Sequence, residues 1–181
     1  MLQKHLNVIP VLLVSCIFLL YGVKGTSSSN VGKGVGNVVQ VKKIYDGDTI
    51  GAVLDGRFEK IRLIGIDAPE MDQRPWGRKA KECLESLLAA VNSRISLEYD
   101  IERRDKYGRI LGYIWLQDGR MLNEEMLKKG FAVLFTCPPN VKYVMRFRAA
   151  QERARDNKIG IWGENGLQER PYDYRKEHPQ R

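Results

Sequence analysis

From residue 38 onward the hydrophobic and polar positions repeat with two periods, and the switches between them lay out the chain. Val38–Ile44 alternates as a strand does, and Thr49–Leu54 and Phe58–Ile66 are two more extended runs separated by Asp55-Gly56. An Asp-Gly pair flanked by such runs signals a two-residue hairpin turn. With that turn taken, Leu54 faces Arg57, Thr49 faces Arg62 and Asp48 faces Leu63. The period then changes: Ala80, Cys83, Leu84, Leu87, Leu88 and Val91 recur at three- and four-residue spacing, which predicts a helix over 76–91. Arg94–Tyr99 and Ile110–Leu116 return to strand, joined through a charged turn at Asp105–Arg109. Leu122–Lys129 predicts a short helix stopped by Gly130, and Val141–Lys158 a longer one with Val144, Phe147, Ala150 and Ala154 inward. Five short strands with one helix between the third and fourth are the pattern of a five-stranded OB-type β-barrel, an α+β fold with three helices.

The ends read differently. In residues 1–25, Lys4 and His5 precede a mostly apolar run, Leu6–Tyr21, and Val23-Lys24-Gly25 offers a small-residue cleavage point. That is a secretory signal peptide in outline, or a membrane anchor through residues 6–23 if it is retained. Leu13-Val14-Ser15-Cys16 also has the look of a lipoprotein lipidation site, although the apolar run continues past Cys16. Either way the chain is expected to be exported, to a periplasm or to the medium. Residues 26–37 form a Ser/Gly linker, residues 38–165 the domain, and residues 166–181 a polar, loose C-terminal tail.

Charge and rare residues narrow the chemistry. The chain has 181 residues and a net charge of +8, from 30 basic and 22 acidic side chains, which favours a polyanionic partner such as nucleic acid. Both histidines, His5 and His178, lie outside the domain. A Ser-His-Asp hydrolase and a His/Cys zinc site are thereby excluded, so catalysis must come from carboxylates, Arg, Lys, Tyr and a metal. Cys83 and Cys137, the cysteines left once Cys16 is set aside, are read as two free, partly buried thiols. The hairpin register brings Asp48, Arg62 and Asp67 to one end, with Glu70 just beyond. Two acids, a candidate base and an arginine at one rim suit a metal-assisted attack on a phosphate ester.

Three blocks, DGDT at Asp46–Thr49, RLIGIDAPE at Arg62–Glu70 and DKYGRILGYIW at Asp105–Trp115, resemble the staphylococcal-nuclease-like (thermonuclease) family in order and spacing. The resemblance covers about Val38 to Trp162. It implies Ca²⁺ held by Asp48, Asp67 and the Ala68 backbone carbonyl, a hard-oxygen set suited to that ion. Asp46 is either a further acid of the site or a turn former. Glu70 matches the family's general base, and Arg62 and Arg109 its two catalytic arginines, whose planar forks suit a phosphodiester that gains charge. Lys106 and Tyr107 are implied to hold a neighbouring phosphate. Where the family has a tyrosine pair for base stacking, this chain has Phe135 and Cys137; Phe135 is expected to stack, with Tyr143 as a partial replacement. The implied function is a Ca²⁺-dependent nuclease on DNA and RNA with little sequence preference, leaving 3′-phosphate ends. A monomer with no obligate protein partner is expected. The alternative is a non-catalytic OB-fold module that only binds nucleic acid.

Overall fold

Asp55 and Gly56 both take positive φ, 48° and 78°, the pair of left-handed residues that a type I′ hairpin turn needs. Strands β2 (Thr49–Leu54) and β3 (Arg57–Leu63) therefore pair as expected, Leu54 with Arg57 and Thr49 with Arg62. One step further, the Leu63 N–H donates to the Asp48 carbonyl at 2.9 Å. The structure, a computed structural model, describes residues 38–179. The signal peptide or anchor expected at residues 1–25, Cys16 and the linker at 26–37 lie outside the described residues. Among the described residues no helix is long and apolar enough to cross a membrane.

The barrel is closed in the order β1–β2–β3–β6–β5, with β1 at Val38–Ile44, β5 at Arg94–Glu98 and β6 at Ile110–Leu116. All its pairings are antiparallel except β3 with β6, which run parallel with Ile61 opposite Ile110 and Arg62 opposite Leu111. This is the OB-type architecture that the periodicity predicts. Closure leaves no free sheet edge, and Ile50, Ile61, Ile95 and Ile114 fill the interior with no exposed surface. Each such side chain contributes about 1.5–3 kcal/mol by leaving water.

Helix α1 (Trp76–Ala89) buries Ala80, Leu84, Leu87 and Leu88 on one stripe, and α2 (Leu122–Lys128) ends where Gly130 takes φ 65°. The buried Asn123 on α2 receives the Ile114 N–H at 2.9 Å and donates to the Ile64 carbonyl at 2.8 Å. That bond fixes the Ile64-Gly65 turn and so aims the short strand β4 (Ile66–Asp67), which pairs with β7 (Val133–Leu134). Helix α3 spans Val144–Asp156, starting later than the periodicity suggests. Asn140 is the reason: its side chain is engaged by both the N–H and the carbonyl of Glu102, at 2.9 Å each, which holds the chain in a turn until Tyr143. Phe147, Ala150 and Ala154 are buried on α3, while Val144 is only half-buried. Cys83 is half-buried and Cys137 exposed, both free.

The C-terminal stretch departs from expectation. Instead of trailing loosely, it carries a fourth helix, α4 (Pro171–Glu177), which begins with proline at its first position and buries Pro171. Fractional burial at one end would be unremarkable. What matters is where α4 puts its other side chains.

Candidate active site

The two hairpin-end acids are buried and tied together by one guanidinium. Asp46 forms the turn, its Oδ1 accepting the Asp48 N–H at 2.9 Å, which is the Asx-turn role open to such a residue. Asp48, 6% exposed, then reaches across to the DAPE segment, where its Oδ2 accepts the Ala68 N–H at 2.7 Å. Asp67 is fully buried. Arg62 lies between them, one Nη2 at 3.0 Å from Asp48 Oδ2 and 3.1 Å from Asp67 Oδ1. Its Nη1 donates to the carbonyls of Leu63 at 2.8 Å and Ile66 at 2.9 Å, so the same group also clamps the turn between β3 and β4. Burial raises the Asp67 carboxyl above its usual range, opposed by the guanidinium groups of Arg175 and Arg62. Burial, helped by the charge of Asp48, pushes Asp46 up to about 6.

Glu70 follows on a loop that two residues hold in shape. Gln73 accepts the Glu70 N–H at its side-chain oxygen and returns its own N–H to the Glu70 carbonyl, both at 2.9 Å. Gly77, in the first turn of α1, lets that loop lie flat on the helix: a Cβ there would sit 2.0 Å from the Glu70 carbonyl oxygen. Neither residue carries a catalytic signal in the sequence. A glycine inside a predicted helix, costing about 1 kcal/mol in propensity, was the one available hint of a close backbone approach.

A second guanidinium completes the cluster, and it is Arg175 of α4. Its Nη1 lies 3.0 Å from Asp67 Oδ1 and 2.5 Å from Glu70 Oε1, and its Nη2 2.9 Å from Asp67 Oδ2. Burial would lower the pKa of this group, but the bonds to Asp67 and Glu70 outweigh it and hold the pKa above the usual arginine range. Nothing in the polar sequence around Arg175 marks it for this place.

The other expected site residues fall into three settings. The turn Asp105–Arg109 is built on Asp105, whose Oδ1 takes the N–H groups of Tyr107 and Arg109 and whose Oδ2 binds Arg109 Nε at 2.7 Å. Arg109 is thus held within its own turn, which ends one residue before Ile110, the parallel partner of Ile61 on β3. Lys106 and Tyr107 project at its tip, with Tyr107 72% exposed and the Lys106 ammonium 5.0 Å from the ring centre. Phe135 packs on Tyr172 of α4, ring centres 5.9 Å apart. Tyr143 is engaged elsewhere: its hydroxyl bonds Glu98 at 3.1 Å and its ring meets Tyr113 edge-on at 4.7 Å. The site therefore gathers Asp48, Arg62 and Asp67 directly and Glu70 through Arg175, holds Arg109 on Asp105 in the turn before β6, and leaves Tyr143 in the seam between barrel and α3.

Comparison with known proteins matches residues 60–164 to the family model described as staphylococcal nuclease homologue. The thermonuclease of Staphylococcus intermedius is 42% identical over 127 residues, covering 67% of this chain and 74% of that one. The chain belongs to the staphylococcal nuclease family. Another thermonuclease, from Staphylococcus hyicus, is 38% identical over 68% of this chain and 74% of its own length. Endonuclease YncB of Bacillus subtilis is 37% identical over 150 residues, 78% of this chain and 69% of that protein.

Among the described residues no group of three or more His, Cys, Asp or Glu side chains is arranged to hold an ion. What the site offers is two buried carboxylates, Asp48 and Asp67, beside the Ala68 backbone. That is a sparse, hard-oxygen set, compatible with an ion that keeps several water or substrate ligands. The site already draws in positive charge: both oxygens of Asp67 accept from Arg175. In this donor chemistry a divalent cation of the Ca²⁺ or Mg²⁺ kind fits, and a thiolate- or imidazole-seeking metal does not.

Proposed function

We propose that this protein is an exported, Ca²⁺-dependent nuclease that hydrolyses phosphodiester bonds of DNA and RNA with little sequence preference. The observation that carries the reading is the buried Asp48–Arg62–Asp67 cluster with Glu70 on the adjoining loop, in a chain of the staphylococcal nuclease family. Thermonucleases and an endonuclease among its relatives support the same reaction type.

Asp48, Asp67 and the Ala68 carbonyl are the groups that would hold the cation. When bound, the cation would supply Lewis-acid polarisation of a phosphate oxygen. The chain's own residues do the rest. Glu70, freed to face substrate, takes the proton of the attacking water, a role worth about 10²–10⁴-fold. Arg62 holds the two metal-binding carboxylates at fixed separation, and its guanidinium with that of Arg109 stabilises charge growing on the phosphoryl oxygens. Lys106 and Tyr107 grip a neighbouring phosphate at the exposed tip of their turn. Phe135 stacks a base, an interaction worth about 1–3 kcal/mol. In-line attack that expels the 5′ oxygen leaves a 3′-phosphate and a 5′-hydroxyl. A flexible single strand suits the site best, because the reacting phosphate must reach acids that are almost fully buried.

The apolar run in residues 6–21 supports export, by cleavage or by anchoring. The direct test incubates the purified protein with single-stranded DNA and with RNA, with and without Ca²⁺, and end-labels the fragments. Ca²⁺-dependent degradation with 3′-phosphate ends is expected. Retention of intact strands in a stable complex, with no cleavage under any divalent metal, would establish the binding module instead.

A further inference from the structure

We propose that helix α4 is a displaceable plug that occupies both halves of the nuclease site: Arg175 takes the position of the metal's positive charge and Tyr172 that of a stacked base. The inference rests on the nuclease reading above and adds a regulatory element to it.

Three contacts carry it. Arg175 binds both oxygens of Asp67 and one oxygen of Glu70, so one guanidinium occupies a metal-holding carboxylate and the general base together. With its Oε1 2.5 Å from a guanidinium nitrogen, Glu70 has only Oε2 left outside the Arg175 contact to meet a water. Four residues earlier on the chain of α4's approach, Pro171 is buried, and next to it Tyr172 lays its ring against Phe135 at 5.9 Å between centres, tilted by 34°. That is the aromatic face offered to a nucleobase. The third contact is the strap: Gln73 Nε2 donates to the Glu169 carbonyl at 2.9 Å, so the residue that shapes the Glu70 loop also holds the segment leading into α4.

The same contacts explain how the plug would leave. The cluster sets the three carboxylates of Asp48, Asp67 and Glu70 against the two guanidiniums of Arg62 and Arg175, so acids outnumber bases even with α4 in place. A divalent cation replaces the single charge of Arg175 with two, and a polynucleotide base replaces Tyr172 on Phe135. Apart from the buried Pro171, α4 itself is short and largely solvent-facing, with Tyr172 43% exposed. Its anchoring is therefore the Arg175 ion pairs, one aromatic contact and the buried Pro171, rather than an extended apolar seam. Metal and strand would act together, each removing one of the two anchors, and the free enzyme would stay idle until both are present. If the plugged state outweighs the open one by a given ratio, apparent metal affinity falls by that same ratio.

The test uses the full chain as wild type, Arg175→Gln and Tyr172→Ala, with three measurements. Calorimetric titration with Ca²⁺ alone should show Arg175→Gln binding at least tenfold more tightly than wild type. Initial rates on single-stranded DNA at limiting Ca²⁺ should rise in both variants and converge with wild type at saturating Ca²⁺. Amide hydrogen exchange over residues 171–177 should quicken in wild type when Ca²⁺ and a phosphorothioate oligonucleotide are added together. Tyr172→Ala keeps Arg175 and guards against misfolding of the other variant. Unchanged Ca²⁺ affinity in Arg175→Gln, with wild-type rates throughout, overturns the plug and leaves the nuclease reading standing. Rates that fall at saturating Ca²⁺ with unchanged affinity overturn it too, and make Arg175 a third arginine on the substrate phosphate. If wild type neither binds Ca²⁺ nor cleaves under any divalent metal, and Arg175→Gln does neither, both readings fall.

Discussion

Removing the Arg62 guanidinium should cost stability as well as rate, because its bonds are structural before they are catalytic. The side chain is 13% exposed and meets four oxygens: those of Asp48 and Asp67 and the carbonyls of Leu63 and Ile66. Arg62→Ala leaves two buried carboxylates facing each other with only Arg175 nearby on Asp67. Breaking a buried ion pair by deleting one partner typically costs about 3–5 kcal/mol. For a protein of this size that is a fall in melting temperature of about 6–20 °C. Arg62→Lys keeps a charge against the carboxylates but cannot fork to the two carbonyls, so it should fall between wild type and Arg62→Ala. Added Ca²⁺ should narrow the gap for both variants, since a bound cation takes over part of the neutralisation. The assay is thermal unfolding by circular dichroism, with chelator and with Ca²⁺, alongside cleavage of single-stranded DNA, where Arg62→Ala is expected to lose about 10³-fold or more. A variant that melts within about 2 °C of wild type in chelator while losing its activity would falsify the structural half of this role. The acids would then hold their positions without Arg62, and its contribution would be to the transition state alone.

The remaining predictions concern the loop, the turn acid, the thiols and the base. Gly77→Ala drives a Cβ to 2.0 Å from the Glu70 carbonyl, a backbone atom that cannot step aside cheaply; cleavage should drop at least tenfold while Ca²⁺ affinity stays close to wild type, and undiminished kcat would remove the loop-shaping role. Glu70→Gln should cut turnover by about 10²–10⁴-fold with the fold intact by circular dichroism; near-normal turnover would take the base role away from Glu70. Asp46 has a folded pKa raised to about 6, so its proton is held more tightly folded than unfolded, and the ionised form is the disfavoured one. Relative to Asp46→Asn, metal-free wild type should therefore lose stability as pH rises from about 4 through 6, read from denaturation midpoints; a difference that is flat with pH contradicts the burial argument. Burial pushes the Cys83 thiol up to about 11 while Cys137 is exposed, so a thiol reagent at pH 8 should label Cys137 quickly and Cys83 slowly. Equal labelling rates by mass spectrometry would contradict that.

How far the sequence could be read depended on the range over which each feature is decided. The hairpin was legible because its register is local: Asp55-Gly56 sets the turn, and antiparallel pairing carries it to Asp48 and Arg62 with no help from the rest of the chain. The barrel was legible for the same reason, since period-two and period-3.6 runs alternate in the order such a barrel requires. The start of α3 was missed because Asn140 spends its side chain on Glu102, 38 residues away. The Tyr143 hydroxyl is likewise engaged by a distant partner, Glu98 at a separation of 45 residues.

The C-terminal helix shows the limit most sharply. Read alone, PYDYRKEH is a short polar segment without an apolar stripe, and a solvated tail is the reasonable expectation. Its place is set by partners more than 100 residues earlier, the fully buried Asp67 and the half-buried Glu70, which together attract a guanidinium. Sequence by itself determined which acids, arginines and turns this protein has, and their local geometry, because hydrogen-bond register and turn chemistry act between near neighbours. Only the tertiary structure decided which arginine rests on those acids. Burial and long-range charge pairing exist only once the barrel has closed.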